Sequence, residues 1–461
     1  MKMNTGSVSL FLSPVLFTAV CFVSLSLIGC SSGSSNPLAP VQAAQAKNAG
    51  NFSNTVFLGD SLTAGYQSSS LLDTLQVHGW APLVAKQASF NIVQPLIAYP
   101  GAPNVLQLVS LGPPPVITPV CPPSGTPNVC ATTTGRDNFA TQVTDLAVPG
   151  AVLNDVMNAV PVVNPAPGSQ AQLVQLVLGF PGFGYGQALS QLGFAIQAQP
   201  TTIFLWIGNN DALVADLTGM PSSMTSVANF TTQYQALMTQ LMTMTPAHLV
   251  IANIPDVTQV PYLTPAALVL AEVSQQTGQP TQVLSALLGI VPGDYVNQTG
   301  LNEITPILTG TQKGPITDSG VLSAAEVVTV QAQVTAFNQV IAQQAQAAGA
   351  TLVDINALFK QVSTSGLTIN GYTGTTAFLG GFFALDGIHP TNTGYAVVAN
   401  KFIDTMNASL KTNIPDVALG PVAAADPYWP PNLVPHTVAA HALTIPASAG
   451  KSIDDMMLGK K

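Results

Sequence analysis

The sequence predicts an α/β fold built around a mostly parallel five-stranded sheet. Five short apolar runs alternate with segments of helical periodicity: TVFLG (55–59), TDLAV (144–148), TIFLWIG (202–208), HLVIANI (248–254) and TLVDI (351–355). A run that is apolar throughout, rather than at every second residue, is typical of a strand covered on both faces. Regular alternation of such strands with helices indicates a doubly wound α/β arrangement.

Two of the intervening helices are clearly marked. One is predicted to begin at Ser323, which forms a capping box with Glu326, and to end at Gly349. The apolar residues of this helix recur at steps of three or four, at Val327, Val330, Val334, Phe337 and Ile341. The other helix is predicted near Thr231 to Met244, just before the fourth apolar run.

The first 29 residues are predicted to be a lipoprotein signal peptide. Lys2 precedes a long apolar run that ends in LIGC at Cys30, and this ending resembles the bacterial lipobox. A retained transmembrane anchor is the alternative, because the run is nearly long enough to span a bilayer. Residues 30–51 are rich in Ser, Gly, Ala and Pro, so we expect a flexible tether. The protein is thus expected in the bacterial cell envelope, bound to a membrane through a lipid on Cys30.

The four cysteines fit an exported protein. Cys21 leaves with the signal peptide and Cys30 carries the lipid, so Cys121 and Cys130 remain. In an oxidising compartment these two are predicted to form a disulfide that closes a short loop. A metal site is disfavoured, since no histidine lies near the pair in sequence.

The composition argues against a nucleic-acid partner. Charged residues make up 7% of the chain, the formal net charge is −9, and the 11 Lys and Arg residues are scattered. Binding to a phosphate backbone needs a basic surface, which these few cations do not supply. Hydrophobic residues make up 47%, enough for a sizeable core, while 38 Gly and 37 Pro predict many turns and long loops.

One domain is predicted over residues 52–410, with three insertions. These are 101–140, which is Pro-rich and holds the cysteine pair, 164–190, which includes GFPGFGYG, and 256–320, with short helical patterns such as TQVLSALLGI. Surface decoration is the simpler interpretation, although long insertions near strand ends also shape substrate pockets. Residues 411–461 form a Pro/Ala-rich tail that we expect to wrap around the domain or fray.

Ser61 follows the first apolar run, at the predicted carboxyl edge of the sheet, where α/β folds bind ligands. A serine becomes a nucleophile when a base accepts its proton and a carboxylate orients that base. His389 lies in LDGIHPTNTGY with Asp386 three residues upstream. A turn there can bring Asp386 to one imidazole nitrogen and leave the other free for Ser61. The remaining histidines lack metal-binding spacing and are expected to be structural or exposed: His78, His248, His436 and His441.

Donors for a developing oxyanion are predicted at two further strand ends. Gly150, in LAVPGA, follows the second run, and Asn210, in WIGNNDAL, follows the third. Asp60, although next to Ser61, is expected to bond backbone N–H groups rather than to orient the histidine. Asp211 is likewise expected to be structural.

Four blocks of the sequence together resemble a known family. The blocks GDSL (59–62), AVPG (147–150), GNND (208–211) and DGIH (386–389) are similar, in order, to those of the GDSL or SGNH hydrolases. The resemblance covers about residues 52–410. It implies a flavodoxin-like three-layer α/β/α fold and esterase or lipase activity. The second block departs slightly, with Asp145 where an asparagine-like residue is expected.

The resemblance also assigns roles. It implies Ser61 as nucleophile, His389 as base and Asp386 as acid, with oxyanion donors at the backbone N–H groups of Ser61 and Gly150 and the side chain of Asn210. No cofactor and no metal is implied. The expected substrate is a small-molecule or lipid carboxylic ester, cleaved through an acyl-enzyme.

Two alternatives remain open at the level of sequence. An acyltransferase or deacetylase acting on envelope glycans would use the same scaffold, and a non-catalytic envelope-binding lipoprotein could retain the fold. The apolar stretches 179–186 and 375–383 favour a hydrophobic acyl group, but core packing explains them equally well.

Overall fold

The computed structural model describes residues 45, 48–112, 115–180 and 188–433. The predicted signal peptide, the lipidation site at Cys30 and the residues from 434 onward lie outside these ranges, as do residues 181–187. Within the described ranges, no helix combines the length and apolar character needed to cross a bilayer.

The centre of the fold is a four-stranded sheet in which all strands are parallel. Its strands, in spatial order, are β1 (Thr55–Gly59), β4 (Thr202–Trp206), β5 (His248–Ala252) and β9 (Thr351–Val353). The shorter strands outside it are β2 (Leu106–Ser110), β3 (Val116–Pro119), β6 (Thr264–Pro265), β7 (Tyr295–Val296), β8 (Val321–Leu322), β10 (Leu367–Ile369) and β11 (Tyr372–Gly374).

Fourteen described α-helices surround these strands. They are α1 (Asp73–Gln76), α2 (Trp80–Gln87), α3 (Leu153–Asn158), α4 (Gln170–Leu178), α5 (Gln191–Ala198), α6 (Asn209–Thr218), α7 (Val227–Met244), α8 (Ala266–Thr277), α9 (Thr281–Leu288), α10 (Gln298–Leu308), α11 (Ala324–Ala348), α12 (Ile355–Ser365), α13 (Asn392–Leu410) and α14 (Leu419–Ala425). Short 3₁₀ turns cover Pro221–Ser223, Val257–Gln259, Asp318–Gly320 and Pro430–Asn432.

The predicted α/β class is confirmed, but the second of the five predicted strands is not regular. Residues 144–148 lie beside β1, with Leu146 N–H donating to Phe57 O at 2.9 Å and Val148 N–H to Gly59 O at 3.1 Å. Only Phe57 and Asp145 form a bridge. On its other side the segment meets loop residue Val93 rather than another strand, so no second ladder extends it.

Three predicted strands end earlier than expected, and in two of them a turn or a helix cap follows. The third run ends at Trp206, two residues before Gly208, whose φ is +107°. The fifth ends at Val353, since the carboxylate of Asp354 accepts the Ala357 N–H at 2.9 Å and so caps α12. The fourth run likewise ends at Ala252 rather than at residue 254.

Helix boundaries follow the capping residues. The capping box at Ser323 is present, with Glu326 Oε2 accepting the Ser323 N–H at 2.9 Å, and Gly349 ends α11 with φ +61°. The helix predicted near Thr231 begins four residues earlier, at Val227, because the Ser226 hydroxyl caps it.

Both faces of the sheet are buried, which gives the three-layer arrangement. On β1 and β4, Leu58 and Leu205 face a core covered by α7 and α11, whereas Phe57 and Phe204 face a core covered by α2 and α13. The Phe57 and Phe204 rings stack at 4.7 Å between centroids. Continuous apolar strands are therefore required here, because each side chain meets a helical layer.

The three insertions form separate structures around this centre. Residues 256–320 contain β6, β7 and helices α8 to α10, and these helices share an apolar core of their own with Leu270, Leu288 and Ile307. Residues 101–140 contain the β2–β3 hairpin and the predicted disulfide, which is confirmed between Cys121 and Cys130 with Cα atoms 4.7 Å apart. The described part of 164–190 is mainly α4.

The segment 411–433, predicted to belong to the tail, packs on the domain. It contains α14, and the side chain of Trp429 is buried. The buried carboxylate of Asp426 accepts the Thr393 N–H at 2.7 Å and thereby satisfies a donor in the first turn of α13. This part of the tail therefore supports the helix that follows the predicted catalytic loop.

Candidate active site

Ser61 lies just past the end of β1, where the backbone is tightly packed. Gly59 pairs with Trp206 of β4, and a Cβ at Gly59 would lie 2.5 Å from the Trp206 carbonyl oxygen. The buried amide of Gln191 accepts the Gly59 N–H at 2.8 Å and donates to the Gly59 carbonyl at 2.9 Å. The strand end that carries Ser61 is thus fixed on both sides.

The structure brings Ser61, His389 and Asp386 into one hydrogen-bonded chain. His389 Nε2 is 2.8 Å from Ser61 Oγ, and His389 Nδ1 is 3.0 Å from Asp386 Oδ2. The side chains of His389 and Asp386 are only 11% and 5% exposed. With Nδ1 bonded to a carboxylate, the imidazole carries its proton there and presents a lone pair on Nε2 to the serine hydroxyl.

Asp386 is kept ionised although it is buried. Burial acts to raise the pKa of this carboxyl, but the adjacent His389 and several hydrogen bonds outweigh it and lower the pKa. Oδ1 accepts the backbone N–H groups of Ile388 and His389, both at 2.9 Å, and Oδ2 also accepts the Ser69 N–H at 2.7 Å. A carboxylate with so many donors is a fixed negative charge for the imidazole.

The loop that carries Asp386 and His389 is anchored on both sides. Thr391 caps α13 by accepting the Gly394 N–H at 3.1 Å. Apolar and aromatic side chains at helical spacing bury this helix against the domain: Tyr395, Val398, Phe402 and Met406. From the 256–320 insertion, the Tyr262 N–H donates to Gly387 O at 2.9 Å. The insertion therefore directly contacts residues 386–390, the predicted catalytic loop.

The three predicted oxyanion donors lie at one edge of the sheet, after β1, after the irregular run 144–148 and after β4. In the described part of the chain, neither the Ser61 N–H nor the Gly150 N–H has a protein acceptor. Asn210 donates one amide hydrogen to Ala151 O at 2.9 Å, which leaves its second hydrogen available. Gly150 has φ +77°, and a Cβ there would meet Gln170 Oε1 at 2.6 Å, so a glycine is required.

The carboxylates of Asp60 and Asp211 accept hydrogen bonds from groups other than His389. Asp60 Oδ1 accepts the Leu62 N–H at 3.0 Å and Oδ2 accepts from Asn209 Nδ2 at 2.8 Å. Burial raises the pKa of Asp60 to about 6, although these bonds partly offset it. Asp211 accepts the Leu153 N–H at 2.8 Å and the Thr225 hydroxyl at 2.6 Å. Asp60 thus supports the turn that carries Ser61, whereas Asp211 links α6 to the start of α3 and to the segment before α7.

Asp145, the departure noted in the second sequence block, is fully buried beside β1. Its Oδ1 accepts the Ala147 N–H at 3.3 Å, and the side chain of Gln94 is its other polar neighbour. Burial raises the pKa of this carboxyl to about 8. Asp145 is therefore largely neutral at pH 7, which suits a position where an amide side chain was expected.

The other histidines lie apart from this arrangement. His248 is buried, with Nε2 3.0 Å from Thr351 Oγ1, and His78 is exposed. His436 and His441 lie outside the described residues. Across the ranges that the structure covers, no three acidic, histidine or cysteine side chains cluster as a metal site would require.

A buried serine, histidine and aspartate joined in this order at the carboxyl edge of a parallel α/β sheet form the arrangement found in serine hydrolases. The family model described as GDSL-like lipase/acylhydrolase matches residues 55–402. The chain therefore belongs to the GDSL lipase/acylhydrolase family, as its four sequence blocks suggested, and it is a carboxylic ester hydrolase of that family.

Solved structures give weaker likenesses. Axe2, an acetylxylan esterase from Geobacillus stearothermophilus, is 12% identical to this chain, with a TM-score of 0.34. The alignment covers 78% of this chain and 96% of the Axe2 chain. Phospholipase A1 from Streptomyces albidoflavus is 13% identical and covers 77% and 99%, with a TM-score of 0.32. No curated protein matches the sequence. At these TM-scores the family match over residues 55–402 is the finding that assigns the chain.

Sequence reasoning missed three residues that contact this site. Gln191 fixes Gly59, Ser69 donates to Asp386, and the Tyr66 ring lies 4.7 Å from the His389 ring. Tyr66 and Ser69 lie within eight residues of Ser61, and that proximity was the available signal. Gln191 gave none, because a single glutamine at the start of a helix is an ordinary surface residue.

Proposed function

We propose that the protein hydrolyses carboxylic esters through an acyl-enzyme on Ser61. His389 Nε2 accepts the Ser61 proton as Oγ attacks the ester carbonyl, and the resulting tetrahedral oxyanion is bound by N–H donors at Ser61, Gly150 and Asn210. The intermediate collapses, and His389 returns the proton to the leaving alcohol. A water molecule then attacks the acyl-enzyme, again with His389 as base, and releases the carboxylic acid.

The observation that carries this proposal is the hydrogen bond of 2.8 Å between His389 Nε2 and Ser61 Oγ. A nucleophile needs its base within hydrogen-bond reach, and here both groups are already in position in the free protein. The lowered pKa of Asp386 adds to this, because a charged carboxylate stabilises the imidazolium that forms as the serine is deprotonated.

The test is Ser61→Ala, measured on p-nitrophenyl esters of increasing acyl length. We expect turnover to fall to the background rate and labelling by a fluorophosphonate probe to vanish, while the melting temperature stays near that of the wild type. Ser89→Ala, an exposed serine after α2, is the matched control and should keep both signals. Undiminished turnover in Ser61→Ala would refute the mechanism. The acyl-length series also tests the expected preference for a hydrophobic acyl group.

We further propose that the mature protein is anchored to a membrane of the bacterial envelope through lipid on Cys30. The support is the lipobox-like ending LIGC and the Ser/Gly/Ala/Pro-rich segment that follows it. Cells that express the wild type should incorporate radiolabelled palmitate into the protein, and Cys30→Ser should abolish the label. Cys21→Ser, within the same apolar run, is the matched control. Label retained in Cys30→Ser would exclude this anchor.

A further inference from the structure

A two-residue turn follows the nucleophile loop and has an unusual sequence. Gln67 and Ser70 exchange both backbone hydrogen bonds, at 3.0 and 3.1 Å, and the two residues between them, Ser68 and Ser69, have φ values of 51° and 59°. A tight turn with positive φ at both central positions normally takes Asn, Asp or Gly. Two successive serines in the left-handed region are disfavoured conformations that the surrounding structure must stabilise.

What stabilises the turn is its contact with the catalytic loop. The Ser69 N–H donates to Asp386 Oδ2 at 2.7 Å, and the Leu385 N–H lies 3.4 Å from Ser68 Oγ. Of the three backbone donors to the Asp386 carboxylate, those of Ile388 and His389 belong to the same loop as Asp386. Ser69 is 317 residues away in sequence, so its hydrogen bond fixes the orientation of the carboxylate relative to a separate part of the chain.

Three further hydrogen bonds tie the turn to its surroundings. The Tyr66 hydroxyl donates to Ser69 O at 2.6 Å, and Tyr66 O in turn accepts from the Tyr395 hydroxyl at 2.6 Å. Gln67 Nε2 donates to Asn392 Oδ1 at 3.0 Å. Tyr395 and Asn392 both belong to α13, the helix that directly follows the catalytic loop. The turn is thus hydrogen-bonded to the same helix that follows the loop of Asp386.

We propose that Ser69 is a positioning residue: the left-handed Ser68–Ser69 turn aims the Ser69 N–H at Asp386 Oδ2 and so orients the carboxylate on His389. This inference rests on the proposed Ser61–His389–Asp386 mechanism. Oδ2 is the oxygen that faces His389 Nδ1, and its other donor is Ser69. If the turn opens, the oxygen that should orient the imidazole loses its only donor from outside the catalytic loop, and the base no longer has one fixed direction toward Ser61.

The test compares two substitutions at Ser69 that leave the N–H in the chain. Valine is β-branched and strongly resists φ near +60°, so Ser69→Val should open the turn, whereas glycine accepts this conformation readily. The chain offers a matched control in Ser89, which has φ 57° but is exposed and makes no contact with the catalytic residues. Ser89→Val and Ser89→Gly impose the same backbone change away from the site.

For Ser69→Val we expect kcat on a p-nitrophenyl ester to fall about 10- to 100-fold with KM within about two-fold, because misplacing a catalytic group by about 1 Å can cost about 100-fold. Ser69→Gly should restore kcat at least about ten-fold relative to Ser69→Val. The two Ser89 variants should match the wild type in kcat. Rates are taken per mole of folded enzyme, with the folded fraction from circular dichroism.

Tyr66→Phe is a second variant that keeps the ring against His389 and removes only the hydroxyl bonded to Ser69 O. It should lower kcat several-fold at unchanged KM, and it remains informative if Ser69→Val does not fold. Unchanged kcat in Tyr66→Phe and Ser69→Val, or an equal loss in Ser89→Val, overturns the inference. A wild type without turnover and without fluorophosphonate labelling refutes instead the proposed function on which it rests.

Discussion

Asp386→Asn is the sharpest test of the hydrogen-bonded chain, because the four donors around this side chain leave the amide no satisfactory orientation. The aspartate accepts two backbone N–H groups on Oδ1 and the Ser69 N–H and His389 Nδ1 on Oδ2. If the asparagine carbonyl takes the place of Oδ1, its NH₂ group faces the Ser69 N–H. The same NH₂ group can only donate to His389 Nδ1, so this nitrogen must be unprotonated. The ring proton then moves to Nε2, where it blocks acceptance of the Ser61 proton.

The opposite orientation is worse for the backbone. It places the NH₂ group against two N–H donors, those of Ile388 and His389, each 2.9 Å from the present oxygen. One or two buried N–H groups lose their acceptor in either case, which corresponds to roughly 1–3 kcal/mol of unfolding free energy for each. In a serine protease with a Ser–His–Asp triad, the same change gives the wrong tautomer and reduces kcat by about 10⁴. We therefore expect a kcat lowered by about 10³- to 10⁴-fold, an almost unchanged KM and a lower melting temperature.

The assay is steady-state hydrolysis of a p-nitrophenyl ester, with a thermal melt of the same preparation. Asp416→Asn makes the same chemical change at an exposed side chain and should affect neither quantity. A kcat within about ten-fold of the wild type in folded Asp386→Asn would show that this carboxylate does not set the tautomer of His389.

Three further outcomes concern groups outside the hydrogen-bonded set of Ser61, His389 and Asp386. Burial raises the pKa of Asp145 to about 8 in the folded protein from 3.8 when solvated. Its ionisation therefore makes the wild type progressively less stable between about pH 4 and pH 8. Asp145→Asn should remove this dependence, so its gain in urea midpoint over the wild type grows across that range, and a pH-independent difference would contradict the assignment. Gly59→Ala places a methyl group 2.5 Å from Trp206 O, so it should lower the unfolding free energy by about 1–3 kcal/mol and abolish turnover. A variant as stable as the wild type would show that the strand end can move. Replacing both Cys121 and Cys130 by serine should lower stability by at most about 3 kcal/mol, seen in thermal melts, while kcat is retained. A large loss of kcat would place the loop 121–130 in the active site.

Strands and helices were predictable from sequence where a local pattern, such as a continuous apolar run or a capping box, has a single structural explanation. Continuous apolar runs located the four regular strands, and the capping box at Ser323 located the start of the longest described helix. The irregular run at 144–148 shows the limit of this reasoning. Its composition is that of a strand, but its neighbour on one side is a loop at Val93, and no local pattern reveals the absence of a partner.

The candidate site was predictable as a set of residues but not as a supported structure. Order along the chain and position after strand ends were enough to single out Ser61, Asp386 and His389. The groups that hold them in place act through backbone atoms or through a generic amide, as Ser69 and Gln191 do. Such roles depend on distance in space, so residue type alone did not mark them.

The three tryptophans of the chain are all buried, and their placement makes the protein its own fluorescence reporter. Trp80 and Trp206 lie in the aromatic core on one face of the sheet, while Trp429 packs edge-on against Phe382, eight residues before the end of the catalytic loop at Pro390. Replacing the first two by phenylalanine leaves emission from the segment 411–433 alone. If that emission shifts to the red at a lower urea concentration than the emission of a Trp429→Phe variant, which reports on the sheet, the C-terminal segment detaches before the domain unfolds, and the enzyme has a partly open state.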